Sequence, residues 1–434
     1  MKKYAVVISI VAVFAILSFS IAAVPVFQNS DEIVLNKFDM DPIIEAAIEK
    51  DVEEALAQTT TTATNIEENE VEEEPAVIGA SSSTELPQEN FNGADLKVES
   101  TTGGRKITGY NSIGDTLQIG NSGGTSTEIV EIGEGAFRNC KSLKTVDLSA
   151  ATYLKKIDMA AFYGCTNLTT INLPASVDEI GGYAFTNTPW LTSQRGGKGS
   201  ESLAVKVNGI IIDGVKAVGT NGKYEIGTDV TKIAPYAFAY NYTLTTIVFA
   251  ERTGLLDIPH RAFANCTKLT TVSMTGVKST AASAFHGCTA LKEVKNFHST
   301  FSGFGNATFN GCTALESCDF STCNGAETFT IGDHAFMGCT ALTSVKFPEK
   351  LTSIGTAAYL GCELLTSIDF PGNDTRNITL QQAAFKDCKK LATITKGENI
   401  TLVRGTGMTG FTNEKVVGNI FYNTKITSSS ISIS

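Results

Sequence analysis

A motif of fixed spacing recurs along this chain, and it constrains the fold more than any other feature. Its clearest copy, IGDHAFMGCTALTSVKF (Ile331 to Phe347), reads as I-G-x-x-A-F-x-x-C-x-x-L-x-x-V-x-F. Ten copies share an aromatic residue as their origin: Phe137, Phe162, Phe185, Phe238, Phe263, Phe285, Phe309, Phe336, Tyr359 and Phe385. Leu follows six residues later in all ten copies, and Cys follows three residues later in eight. Such regularity predicts a repeat protein in which each copy is one coil of a solenoid.

The period of the motif predicts the structure of one coil. The L-x-x-V-x-L/F segment alternates with period two, which predicts a short strand with one buried face. The A-F-x-x-C-x-x-L segment has apolar residues three apart, which favours a helical or 3₁₀ turn. A coil of about 24 residues cannot bury these rows alone, but stacked coils can. We therefore predict an α/β-type repeat solenoid with one short parallel strand per coil and strand-rich caps.

The motif resembles the leucine-rich repeats of the BspA type, which occur in bacterial secreted and cell-surface proteins. The residues that carry the resemblance are the A-F-x-x-C-x-x-L-x-x-I-x-L pattern and its spacing, from about Phe91 to Ile394. The resemblance implies a curved solenoid with a parallel sheet, on a secreted or surface-attached protein used for adhesion. It implies much less about the ligand, because the family is functionally broad.

The N-terminal sequence predicts that the protein is exported from the cell. Residues 1–23 read as a signal peptide, because Lys2 and Lys3 precede an apolar run that ends in small residues at Ala22 and Ala23. The alternative is an uncleaved membrane anchor, since no charged residue occurs between Tyr4 and Ser30. Membrane contact is expected only through this segment.

Residues 24–90 have a composition unlike the rest of the chain. They hold 17 Asp and Glu against two Lys, whereas residues 91–434 hold 28 acidic and 30 basic residues. The net charge of −11 therefore arises from this segment, which we predict to be an acidic disordered spacer. A calcium-collecting role is the alternative, although no D-x-D-x-D-G pattern supports it. An acidic arm and a nearly neutral solenoid disfavour nucleic acid as a partner.

Turn residues and phase divide the remainder of the chain. We predict that residues 91–131 form an N-terminal cap of strands and that residues 132–396 form the solenoid. One step between aromatics spans 53 residues, about twice the others, so one unit there is degenerate or carries an insertion. We predict a hairpin insertion at about 192–228, because Asn208-Gly209 between apolar alternations is typical of a type I′ turn. The regular spacing of the repeat is lost after Lys396, so we predict that residues 397–434 form a C-terminal cap and tail.

The cysteines form a ladder of one residue per coil. The members are Cys140, Cys165, Cys266, Cys288, Cys312, Cys339, Cys362 and Cys388. Thr188 and Asn241 fill the same slot in two coils, which favours a small, half-polar buried residue that satisfies local backbone groups. Disulfides between neighbouring coils and a metal site are the alternatives. Cys318 and Cys323 lie outside the ladder, and a local disulfide between them is a further alternative.

Residues with catalytic or cofactor-binding potential are few. The four histidines are His260, His286, His298 and His334, and none has the spacing of a metal site. No serine has the G-x-S-x-G setting. The G-x-G-x-x-G match at Gly405 to Gly410 lacks the strand-then-helix context of a nucleotide site. We therefore predict a non-enzymatic protein without cofactor or metal.

The outward x positions of L-x-x-V-x-L are the remaining candidate site, and they favour protein or glycan partners. We predict that partners contact Thr245, Thr246, Thr270, Thr271, Ser273, Lys292, Glu293, Lys295, Glu316, Asp319, Lys346 and Asp369. The alternative is that the threonines are present because a parallel sheet favours them.

Two functional hypotheses follow. The first is an exported adhesion protein that binds surface or matrix proteins of a host or neighbouring cell. The second is a structural spacer or assembly component of the cell envelope.

Overall fold

The computed structural model describes residues 89–91, 94–121, 128–195, 203–372, 374–405, 408, 412–427, 431 and 433. All of them belong to one compact unit. The predicted signal peptide and residues 24–88 of the predicted spacer lie outside the described residues. No helix in the described part of the chain is long and apolar enough to span a membrane.

Each regular coil places a strand at its L-x-x-V-x-L/F segment, which confirms the predicted parallel solenoid. We call these the front strands. Three form one sheet: β4 (Thr116–Gln118), β6 (Thr145–Asp147) and β8 (Thr170–Asn172). Eight form a second sheet: β12 (Lys223–Ile226), β14 (Thr246–Phe249), β16 (Thr271–Ser273), β18 (Glu293–Lys295), β20 (Ser317–Asp319), β22 (Ser344–Lys346), β24 (Ser367–Phe370) and β26 (Thr393–Lys396). In β18, for example, Val294 is buried between exposed Glu293 and Lys295.

A second strand in each coil, which the sequence analysis missed, lies just before the aromatic residue. These back strands are β5 (Ile129–Ile132), β7 (Lys156–Ile157), β9 (Glu179–Ile180), β11 (Ile210–Asp213), β13 (Lys232–Ile233), β15 (Leu256–Ile258), β17 (Val277–Thr280), β19 (Gly303–Phe304), β21 (Phe329–Ile331), β23 (Leu351–Ile354), β25 (Arg376–Leu380) and β27 (Ile400–Arg404). The prediction of one strand per coil is therefore wrong. Strands of two to five residues are too short to show alternation in the sequence, and their pairing partners are in neighbouring coils.

The segment around the aromatic residue is not a helix but a series of tight turns closed by hydrogen bonds three residues apart, which agrees with the 3₁₀ alternative of the prediction. In the second coil the Tyr163 amide donates to the Ala160 carbonyl (3.0 Å), while the Phe162 amide donates to Ala184 in the next coil (2.8 Å). Ala160 and Gly164 have φ values of 53° and 71°. Left-handed residues on both sides of the aromatic prevent a continuous helix. The described residues contain only two helices, α1 (Pro189–Gln194) and α2 (Asn413–Ile420).

The glycine of the I-G pair is explained by the close approach of the coils. A Cβ on Gly332 would lie 2.6 Å from the Gly305 carbonyl carbon and from the Asn306 nitrogen of the preceding coil. Gly355 meets the backbone of Gly332 and Asp333 in the same way. Glycine at this position therefore allows the back strands to stack at their normal spacing.

The aromatic residues form a continuous stack through the core, except at one coil. Tyr110, Phe137, Phe162 and Phe185 form one row, and Phe238, Phe263, Phe285, Phe309, Phe336, Tyr359, Phe385 and Phe421 form the other. Neighbouring ring centroids lie 4.9 to 5.8 Å apart. Offset aromatic pairs at this separation add stability beyond the area they bury.

Both ends of the solenoid extend the repeat. At the N-terminus β1 (Glu89–Phe91), β2 (Ala94–Thr101) and β3 (Gly104–Ser112) form the predicted strand-rich cap, with antiparallel pairing. At the C-terminus the phase is resumed, because Phe421 stacks on Phe385 at 5.4 Å and the Phe385 amide donates to Ile420 (2.9 Å). Residues 397–434 are thus more than a cap. The 36-residue spacing from Phe385 to Phe421 concealed this coil in the sequence.

The Cys ladder links consecutive coils through hydrogen bonds, which confirms the structural interpretation. The Cys312 thiol donates to the Phe285 carbonyl of the preceding coil (3.2 Å). Cys165, Cys266, Cys288, Cys339, Cys362 and Cys388 make the same bond. Asn241 replaces the thiol with an amide that donates to Gly214 (2.7 Å). All ten cysteines are free and buried, so the disulfide alternatives, including Cys318–Cys323, are wrong.

Each ring of the aromatic stack should contribute strongly to the stability of the folded protein. Tyr359 lies between Phe336 (4.9 Å) and Phe385 (5.2 Å), and its buried hydroxyl has no partner among the described residues. Tyr359→Ala should lower the free energy of unfolding in urea by about 3–5 kcal/mol, because it leaves a cavity. The control Tyr359→Phe keeps the ring, removes an unsatisfied hydroxyl and should unfold no more easily than the natural chain. Similar losses in both variants would contradict the role of the ring.

The buried thiols should make stability dependent on alkaline pH. Burial raises the pKa of the Cys165 thiol to about 12, and burial also raises the pKa of Cys312. An unfolded thiol ionises near pH 8.5. The stabilising contribution is therefore complete below about pH 8.5 and is lost as pH rises towards the folded pKa, because only the unfolded chain releases protons there. Urea unfolding followed against pH should show this decline, and it should be shallower in Cys165→Ala/Cys312→Ala. An equal slope in that variant would refute the assignment.

Candidate partner-binding surfaces

The threonines just before the front strands hold neighbouring coils together. The Thr270 hydroxyl donates to the Thr245 carbonyl (2.9 Å), and the Thr245 hydroxyl donates to Gly222 (3.3 Å). The Thr343 hydroxyl makes the same bond to Glu316 (3.0 Å). Thr246 and Thr271, one position further along, are only partly exposed. The predicted contact residues Thr245 and Thr270 thus have a structural role, the linking of coils by their hydroxyls, which differs from the sheet preference given as the alternative.

Ser273 differs from the other predicted contact residues, because it is only 7% exposed. The Asn296 amide donates to its hydroxyl (3.0 Å), and the Thr275 hydroxyl lies 3.2 Å away. These side chains cover it. The expectation that Ser273 faces solvent is therefore wrong. The residues that cover it come after the strands, outside the repeat motif from which the expectation was drawn.

The charged members of the predicted set lie together on the surface. We call them the front-face patch: Lys292, Glu293, Lys295, Glu316, Asp319, Lys346 and Asp369, all of which are exposed. They come from β18, β20, β22 and β24 and the residues just before these strands, and the four strands are consecutive in one sheet. At the usual strand spacing the patch is roughly 15 Å across. It presents three positive and four negative charges on a regular backbone.

Ion pairs within the patch fix some of these side chains. The Lys346 ammonium lies 2.8 Å from the Asp319 carboxylate on the next strand, and Lys295 lies 2.5 Å from Glu293 on its own strand. Partial burial favours a higher pKa for Asp319, but hydrogen bonds from Lys346 and Ser321 outweigh it and lower the pKa. The hydrogen bond to Asp319 raises the pKa of Lys346. Exposed pairs of this kind orient side chains more than they stabilise the fold.

The regular stack is interrupted between Phe185 and Phe238. Gly214 occupies the aromatic slot there, because its amide donates to the Ala237 carbonyl (2.5 Å), the bond made by the aromatic residue in other coils. Helix α1 follows Phe185 where a front strand would begin, and Trp190 packs edge-on against Phe185 (5.0 Å). The hydrophobic core divides into two clusters at this coil.

The hairpin predicted in this region is present, but it is part of a coil rather than a separate insertion. β10 (Val205–Val207) pairs with β11 in antiparallel orientation through Asn208 and Gly209, whose φ values are 49° and 79°. These values confirm the type I′ turn. β11 also pairs with β13 in parallel, and β12 pairs with β14, so this unit supplies both a back and a front strand. The predicted insertion at about 192–228 is therefore largely a degenerate coil.

A buried ion pair lies at the same coil. Arg195, which follows α1, donates to Asp213 through Nε (3.0 Å) and Nη2 (2.7 Å). The two side chains are 12% and 7% exposed. Burial favours a lower pKa for Arg195, but the Asp213 charge outweighs it and raises the pKa. The bidentate geometry joins the end of the third coil to the degenerate one.

A cleft of about 490 Å³ opens on the back-strand side beside the degenerate coil. Its apolar lining includes Ile180, Ile210 and Ile233. The pairing of Ile211 with Ile233 shows why it exists. Gly214 lies three positions after Ile211, whereas Phe238 lies five positions after Ile233. The turn of the degenerate coil is therefore two residues shorter and does not fill this space. The 53-residue step without an aromatic was the only sign of it in the sequence.

Polar groups surround this cleft. Glu134, Asp158 and Glu179 supply carboxylates, and Lys232 supplies an ammonium group. Nearby, Lys156 lies 3.0 Å from Asp158 and 3.6 Å from Glu179. Burial favours a lower pKa for Lys156, but these carboxylates outweigh it and raise the pKa.

The histidines follow no common pattern. His260 is partly buried in the cleft wall and packs edge-on against Tyr236 (5.4 Å). His334 is exposed. Most of the G-x-G-x-x-G segment lies outside the described residues. No group of three or more His, Cys, Asp or Glu in the described ranges could hold a metal ion.

The stacked coils, with a leucine and a short parallel strand in each regular unit, define a leucine-rich-repeat solenoid. The model of the BspA-type leucine-rich repeat region, in six copies, matches residues 122–202, 231–328 and 324–434. These matches cover well over half of the sequence, and the chain belongs to this family. A search of curated proteins found no match.

Comparison with solved structures finds other leucine-rich repeat proteins. One from Eubacterium ventriosum is 19% identical, covers 78% of this chain and 95% of its own, and has a TM-score of 0.37. A leucine-rich cell surface protein from Faecalibacterium prausnitzii is 19% identical over 73% of this chain and 96% of its own, with a TM-score of 0.30. One from T. pallidum is 26% identical over 51% and 87%, with a TM-score of 0.26.

The Arg195–Asp213 pair should be essential where the stack is interrupted. Asp213→Ala should lower the free energy of unfolding by about 3–5 kcal/mol, because it leaves a buried guanidinium without its partner. Urea denaturation measures this change. Asp319→Ala removes the exposed partner of Lys346 and serves as the matched control, with a clearly smaller loss expected. Equal losses in the two variants would show that burial of the pair has no special importance.

Proposed function

We propose that this protein is an exported, non-enzymatic binding protein that adheres to surface or matrix proteins of a host or neighbouring cell. Membership of the BspA-type repeat family supports a binding role, since solenoids present extended surfaces to partners. The apolar N-terminal run after Lys2 and Lys3 supports export. The leucine-rich neighbour from Faecalibacterium prausnitzii is described as a cell surface protein, which is consistent with this location.

The front-face patch is the observation that carries the proposal. Seven charged side chains of both signs are exposed on four consecutive strands, on a backbone held rigid by the coils on either side. Such a surface can match a complementary pattern of charges and hydrogen-bonding groups, which gives specificity more than affinity. Thr246 and Thr271 border the patch and can contact a partner at its edge, whereas Thr245 and Thr270 use their hydroxyls within the protein.

A spacer in the cell envelope is the second candidate function. The observation that favours it is the pairing of Lys346 with Asp319 and of Lys295 with Glu293, which satisfies part of the patch internally. A spacer needs coil number and stiffness rather than particular side chains. The two functions therefore respond differently to the same set of variants.

The test is a capture experiment with purified residues 24–434 and extracts of matrix and cell-surface proteins. Adhesion predicts a saturable partner that is lost when Lys292, Glu293 and Lys295 are all changed to Ser. The matched control changes Lys389, Lys390 and Glu363 to Ser, which removes the same charges outside the front strands. Retention of the partner by the front-face variant, or no saturable partner, would favour the spacer, which should respond instead to deletion of a coil.

A further inference from the structure

We propose that the cleft beside the degenerate coil is a second binding site, which holds one arginine or lysine side chain of a partner polypeptide. The site is separate from the front-face patch, because residues of back strands and of the following turns line it. Its volume of about 490 Å³ lies within the usual range for ligand sites. The inference does not depend on adhesion through the front face.

The apolar base of the cleft fits the stem of such a side chain. Ile180, Ile210 and Ile233 come from three back strands, and all three are buried. Arginine and lysine carry a flexible hydrocarbon stem that packs on apolar surface while the charged group stays in a polar environment. A short acidic or hydroxyl side chain would leave this base uncovered.

The charges around the cleft select a cation. Glu134, Asp158 and Glu179 line it, against one lining ammonium group on Lys232. Lys156 lies just beside it and is shared among Asp158, Glu179 and Glu131, at 3.0, 3.6 and 3.8 Å. Glu131 also pairs with Lys106 (3.0 Å), so four carboxylates face three ammonium groups, and one incoming guanidinium or ammonium group balances the charges. An anion would meet the opposite field.

The degenerate coil explains why the site lies at this position in the stack. Elsewhere the turn of each coil packs on the turn of the next, as Ala262 and Ala284 do through the Phe238 and Phe263 amides (both 2.8 Å). Here the turn before Gly214 is shortened, and the rings of Tyr183 and Tyr236 pack directly on each other with their centroids 4.6 Å apart. The space next to them is the cleft, with Tyr236 and His260 in its wall.

The histidines provide a direct test in the full chain. Of the four, only His260 lines the cleft, so its ring signals in proton–carbon NMR spectra report on binding, and the other three are internal controls. The probe is the blocked tripeptide Gly-Arg-Gly, and its comparison is Gly-citrulline-Gly, which has the same shape without the charge. We expect a saturable shift confined to His260 with the arginine probe and none with citrulline.

Matched variants separate the charge of the cleft from charge in general. Asp158→Asn/Glu179→Gln should raise the Kd of the arginine probe about fivefold. Glu316→Gln/Asp319→Asn removes two carboxylates from the front-face patch and should leave the Kd unchanged. A far-ultraviolet circular dichroism spectrum and a urea unfolding midpoint like those of the natural chain would verify that each variant is folded. The proposal is overturned by an absent or non-saturable shift, an equal response to citrulline, or an unchanged Kd in the cleft variant.

Discussion

Stacking of like residues from successive coils is the interaction on which the rest of the structure depends. A single coil has too little apolar surface to form a core, so each of its rows is buried only by the same row above and below. Three rows show how this works. Aromatic rings such as Phe263 and Phe285 stack at 5.2 Å, thiols such as Cys312 donate to the preceding coil, and Thr270 donates through its hydroxyl. Stacking one coil on the next thus buries the apolar residues and forms the hydrogen bonds at the same time.

The same dependence explains why an irregular coil changes so much around it. Gly214 lacks the ring that would join the two aromatic rows, and the shortened turn beside it leaves the cleft. The chain compensates with other interactions: Trp190 packs edge-on at the end of one row, and Tyr224 does so at the start of the other. Arg195 and Asp213 join the two sides with a bidentate ion pair. The interrupted position therefore combines a polar link, a hairpin and a cleft.

The regular and irregular parts support different kinds of recognition. On the front face, regular strand spacing distributes Lys292 to Asp369 over four neighbouring strands, suited to a partner with a complementary surface. At the degenerate coil, the cleft is suited to a single inserted side chain. Because the coils contact only their neighbours, either site can change without affecting the fold of the distant coils. A repeat protein can in this way combine a broad surface with a local pocket.

The sequence by itself determined the features that depend on local pattern. The period of Phe and Leu predicted the solenoid and its front strands, Asn208-Gly209 predicted the hairpin turn, and the substitution of Asn241 for Cys predicted that the ladder is structural. Tertiary structure decided what depends on contacts between coils. The back strands, the covering of Ser273, the twelfth stacked ring Phe421 of the C-terminal coil and the cleft near Ile210 all arise from residues some 20 or more positions apart in the chain. Their register follows from packing, which no short stretch of sequence encodes.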